Sequence, residues 1–139
     1  MPEKYELIDH TADVGVKAKG KTLAECFENA AHGMFDLITD MSEIENTGQY
    51  TIELKADDLE QLLVDWLSEL LFLQSANNLI FGFFKVDLDE KNKILSAKIF
   101  GEKFDLSKHK IGVEIKAVTY HMLEVKKKKP FFVKVLFDI

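Results

Sequence analysis

The chain has 139 residues, 47% of them hydrophobic, with eleven Phe and a formal net charge of −6. That length fits a single domain, 1–139, that buries roughly two-thirds of its unfolded surface, and the apolar content excludes a disordered chain. Charges interrupt every apolar run well before the ~20 residues a membrane helix needs, residues 1–20 lack a leader pattern, and one Cys allows no internal disulfide.

The cytoplasm is therefore the expected compartment, with no membrane association and a monomeric state. Excess acid argues against broad electrostatic capture of nucleic acid, which depends on cations neutralising phosphates. All eighteen cations are Lys and none is Arg, so bidentate forks on phosphates or guanine edges are missing. A role near RNA is expected to run through a partner, with RNA reached only indirectly.

In chain order, residues 4–10 and 14–19 read as short strands around the polar cluster Asp9-His10-Thr11-Ala12-Asp13. Thr22 then caps a helix with Glu25 as its capping-box partner. Its apolar stripe is Leu23, Cys26, Phe27, Ala30, Ala31, Met34, Phe35 and Ile38, ending near Thr39. Residues 42–48 read as a loop and 49–55 as an alternating strand. Asp57 and Asp58 open a second helix whose leucines and Trp66 form a wide apolar face, and Asn77-Asn78 suits its end. The remainder reads as β: strands over 79–88 and 93–104 around a turn, a connection over 105–112, then strands over 113–125 and 131–139. The expected class is α+β, with two amphipathic helices on one face of a mixed sheet.

Few residues suggest chemistry. The last strand places Asp138 on the face opposite Phe137, beside the main-chain carboxylate of Ile139. Asp138 is either a solvated terminal acid or, with Ile139 and Asp13, part of an oxygen-donor site for Ca²⁺, Mg²⁺ or Mn²⁺. Asp13 reads equally well as a turn or capping residue, and His10 as a local hydrogen-bonding group. No His/Cys cluster has zinc spacing. Lys116, aligned with Glu114, Val118 and Tyr120, either snorkels to solvent or meets an anion, with Thr119 and His121 opposite. Cys26 and Trp66 read as core. Lys126–Lys129 reads as a solvated turn, with phosphate contact as the lesser alternative. There is no phosphate loop, serine elbow or paired Cys, so no self-sufficient catalytic set is expected.

Taken together, four blocks resemble the archease family: Asp9 to Gly15; Thr22 to Phe35; Gly101-Glu102 leading through Lys108-His109 into Glu114 to His121; and Leu136-Phe137-Asp138-Ile139. The resemblance covers essentially the whole chain. It implies an archease-like fold and a cytosolic accessory protein, not an enzyme, that promotes guanylylation and repeated turnover of an RtcB-type RNA ligase in tRNA splicing and RNA repair. It also implies a divalent metal held by Asp13, Asp138 and the carboxylate of Ile139, with Lys116 as the activating lysine. Lys108 stands where Arg is common in the family, and the Lys126–Lys129 turn matches no family motif. The competing expectations are a stand-alone metal-dependent phosphohydrolase and a chaperone-like binding module with a structural metal.

Overall fold

The computed structural model describes residues 4–10 and 13–139, apart from the side chains of Asp9 and His10. Strands β1 (Tyr5–His10) and β2 (Asp13–Gly20) precede helix α1 (Leu23–Ile38). Strand β3 (Gly48–Lys55) leads to helix α2 (Leu59–Asn77), and β4 (Leu79–Asp89), β5 (Ile94–Lys103), β6 (Ala117–Lys126) and β7 (Phe131–Asp138) follow.

Both helix starts follow from their caps. The Thr22 hydroxyl accepts the Glu25 N–H at 3.1 Å, and Glu25 reaches back to the Lys21 N–H at 3.2 Å. In α2, the Asp58 carboxylate accepts the Gln61 N–H at 2.7 Å, and Asn78 closes the helix with φ 57°, a left-handed conformation that Asn tolerates. Every residue of the expected α1 stripe is buried, Cys26 included. Trp66 is fully buried and donates its indole N–H to the Phe27 carbonyl at 3.0 Å, tying α2 to α1.

The α+β class is as expected, but the strands divide into two antiparallel sheets where a single mixed sheet was anticipated. One has the order β1-β2-β7-β6 and the other β3-β5-β4. The connections explain the division. Helix α1 carries the chain from β2 in one sheet to β3 in the other, and β5 inserts between β3 and β4, so no helix joins two hydrogen-bonded parallel neighbours. Both helices pack against both sheets, and one continuous core draws on all four components. Burial is therefore not confined to one helical face: α1 buries Asn29 and Gly33 besides its stripe. No helix among the described residues is long and apolar enough to cross a membrane.

The strand expected over 113–125 begins later, at Ala117. The preceding backbone is engaged elsewhere: the Gly112 N–H donates to the Ile38 carbonyl at 2.9 Å and the Val113 N–H to the Leu37 carbonyl at 2.7 Å. These are C-terminal carbonyls of α1, which an α-helix leaves without partners of its own. A long register irregularity then separates Thr119 from Glu124, and Met122 inside it has φ 56°.

Candidate functional site

Strand pairing brings the two ends of the chain together. Asp13 stands directly opposite Asp138 across β2 and β7, and Asp138 stands opposite Ala117 across β7 and β6. Directly opposed residues of an antiparallel pair share a face, with Cβ atoms roughly 4.5–5.5 Å apart. Two carboxylates thus sit side by side at one end of the four-stranded sheet. Asp138 is exposed and Asp13 half-buried. Like charges directly opposed on a sheet are destabilising, and a hard cation shared between them removes that cost. The donor set fits an oxygen-liganded divalent ion. Among the described residues no third His, Cys, Asp or Glu side chain joins this pair in a metal-binding group.

The Lys116 N–H donates to the Asp138 carbonyl at 2.7 Å, which places this residue at the same sheet end. Its side chain is exposed and lines a surface depression of about 310 Å³ with Ser68, Phe72 and Ser75 of α2. Lys116 is therefore not a mid-strand lysine surrounded by apolar neighbours. It precedes β6, on the loop docked to the end of α1. His10 pairs in register with Asp13; its side chain, like residues 11 and 12, lies outside the described residues. On β6, the Thr119 hydroxyl donates to the Leu136 carbonyl at 3.1 Å and accepts the His121 main-chain N–H at 3.3 Å, a structural role for Thr119.

One polar network behind this end was not anticipated from its spacing. Buried His109 accepts the Asp105 N–H on Nδ1 at 2.9 Å, so Nε2 carries the hydrogen and donates to Glu102 at 2.9 Å. Glu102 also accepts Lys108 at 2.9 Å and the Glu45 N–H at 2.7 Å. Burial opposes ionisation of Glu102, but these donors outweigh it and hold its carboxyl down at about 2. The network folds residues 105–112 back onto β5 and so sets the approach of Lys116. The only sequence signal was the adjacency of Lys108 and His109 in the resemblance. Cys26, expected in the core, is an inert thiol: burial pushes it up to about 12.

Comparisons with known proteins identify the family and the fold. The model of the archease protein family (MTH1598/TM1083) matches residues 5–139. The chain is 48% identical to protein archease of Methanosarcina barkeri over 128 residues, covering 90% of this chain and 88% of that one. It is 39% identical to protein archease of Sulfurisphaera tokodaii over 131 residues, 94% of each chain. The solution structure of Methanobacterium thermoautotrophicum protein 1598 superposes with a TM-score of 0.83 at 38% identity, covering 98% of this chain and 99% of that one. A shared fold, near-complete coverage and a family match across both chain ends lead to one conclusion: the chain belongs to the archease family.

Proposed function

We propose that the protein is a cytoplasmic accessory factor, not an enzyme by itself, that activates an RtcB-type RNA ligase in tRNA splicing and RNA repair. It promotes guanylylation of the ligase by GTP and lets the ligase turn over repeatedly. The observation that carries this reading is the opposition of Asp13 and Asp138 at one sheet end, with Lys116 tied to Asp138 through its main chain. Asp13, Asp138 and the main-chain carboxylate of Ile139 hold a divalent ion, Ca²⁺, Mg²⁺ or Mn²⁺. When bound, that ion supplies positive charge of the kind that stabilises a phosphate under attack.

The chain's own residues do the presenting. The opposed aspartates fix two oxygen donors on a rigid sheet, and the docked 110–113 segment holds Lys116 at the same sheet end, with its main chain bonded to Asp138 and its side chain turned toward α2. The metal is not needed to staple the chain ends, because β2 and β7 already pair continuously from Asp13↔Asp138 to Gly20↔Phe131. That favours an ion used on a partner over a purely structural one.

The test is multiple-turnover RNA ligation and ligase guanylylation with and without this protein, using wild type, Asp13→Asn, Asp138→Asn and Lys116→Ala. Stimulation lost in these folded variants supports the assignment, and stimulation equal to wild type in all three refutes it. Nucleotide hydrolysis by this protein alone, lost in the same variants, would favour a stand-alone phosphohydrolase.

A further inference from the structure

The outward face of the four-stranded sheet carries a second like-charged pair. Lys17 stands directly opposite Lys134 across β2 and β7, four residues along β2 from Asp13, or about 13 Å at strand rise. In the next row on the same face, Phe132 lies between Lys19 on β2 and Lys126 on β6. The Lys17 ammonium sits 4.5 Å from the Phe132 ring centroid and that of Lys126 5.7 Å from it. Beyond that row the β6–β7 turn adds Lys127 to Lys129. Three of these lysines meet carboxylates: Lys19 meets Glu6 at 3.5 Å, Lys134 meets Glu124 at 3.9 Å, and Lys127 meets Glu60. Among the described residues, Lys17 and Lys126 meet the Phe132 ring and no carboxylate within 4.0 Å.

Within its row the Lys17–Lys134 pair is balanced, since Glu6 on β1 stands opposite Lys17 and Glu124 on β6 opposite Lys134. The excess of cation lies in the next row, where Lys19 and Lys126 flank Phe132, and in the turn beyond it. A row of ammonium groups around an aromatic ring on a flat sheet suits a phosphodiester chain with unpaired bases. Phe132 is half-buried and its ring carries the Lys17 ammonium, so it cannot wedge into a bilayer, and a base stacks on it only as that ammonium moves onto a phosphate. We propose that this face binds single-stranded RNA directly, with phosphates on Lys17, Lys126 and Lys134 and a base stacked on Phe132. Without Arg, the contact is that of point charges and stacking, and so is weakly selective for sequence. It is independent of the ligase reading and goes beyond it, because the protein alone is the reagent.

The experiment is fluorescence anisotropy of a short unstructured RNA titrated with the protein across a salt series. With three or four phosphates engaged, log K should fall against log[salt] with a slope of about −2 to −3. Lys17→Gln with Lys126→Gln should roughly halve that slope; both residues are half-buried, so the Tm of the double variant is measured alongside to show that the fold is kept. Phe132→Leu, which keeps an apolar side chain in place, should weaken binding roughly five- to hundred-fold, the usual worth of one stacked base. The proposal is overturned if the wild type does not bind at low salt, or if neither variant changes the affinity. It is equally overturned if duplex RNA or phosphatidylserine vesicles bind as tightly as the single strand.

Discussion

Replacing Gly112 by Ala tests how Lys116 is held in place. A Cβ built at Gly112 would lie 2.2 Å from the Leu37 carbonyl oxygen and 2.9 Å from that of Ile38. No backbone strain is involved, since no glycine has positive φ; the constraint is close approach alone. Relieving the overlap requires the 110–113 segment to lift off α1. That movement breaks the Gly112 and Val113 amide bonds to Ile38 and Leu37, at 2.9 and 2.7 Å, and strains the 2.7 Å bond from the Thr39 hydroxyl to the Lys110 carbonyl. Two lost hydrogen bonds at ~1 kcal/mol each, with two helix carbonyls left partly buried, give about 2–4 kcal/mol. For 139 residues the unfolding entropy at the midpoint is about 0.29 kcal/mol/K, so Tm should fall by about 7–14 °C. Thermal denaturation followed by circular dichroism measures this, with Ile111→Ala as a control at an exposed neighbour. Amide exchange reads the mechanism directly: Val113 and Lys116 should lose protection in Gly112→Ala while the centre of α2 keeps it. A Tm within about 2 °C of wild type, with the Val113 amide still protected, would refute the docking account.

Two further predictions concern charge. Burial first, then Lys4, lowers His32 to about 4, with Asp36 opposing; the ring is packed edge-on against Phe84 at 5.0 Å. A histidine lowered in the folded state stabilises fully above its ordinary value near 6.5, so urea stability should decline as pH falls from about 6.5 to 4. Glu28, raised by burial, works the other way just above its ordinary range, and His32→Leu should flatten the decline. Below about 4.5, protonation of Glu102 removes a further contribution as pH falls toward 2. A wild-type profile flat from pH 7 to 4 would contradict the first of these assignments. For the acidic pair, Asp138→Asn should raise Tm in chelator by relieving the opposed charges, and should abolish the Tm gain that added Ca²⁺ or Mn²⁺ gives wild type. Equal gains in both proteins would remove Asp138 from the ligand set.

What the sequence made legible was local. Thr22 with Glu25 and Asp58 with Gln61 announce helix starts because capping chemistry acts over three residues, and the apolar stripe of α1 is a spacing rule. The features that build the site are long-range. Nothing in the spacing of Asp13 and Asp138 shows that they are directly opposed; before any resemblance the two were only candidates, each with an ordinary alternative. Their opposition requires β7 to return beside β2, which depends on two sheets forming where one mixed sheet was expected. The late start of β6 has a similar cause, because alternation in 113–116 suggests a strand while the end of α1 takes up the amides a strand would have used. Glu102 and His109 were visible as members of one family block, but their bond was not, because a turn that folds back onto a strand has no period to read. The lysines were split the same way: Lys126–Lys129 stood out as a run, whereas nothing in the sequence singles out Lys17 or Lys134, which lie on separate strands. Only the register makes them partners, and the same register makes Asp13 and Asp138 partners on the same face. The basic pair is offset by its outer neighbours, because Glu6 stands across from Lys17 and Glu124 across from Lys134. Asp138, by contrast, has Asp13 on one side and Ala117 on the other, so the acidic end is where a bound cation adds most, while any phosphate chain must be drawn by the lysines around Phe132 and in the turn beyond it.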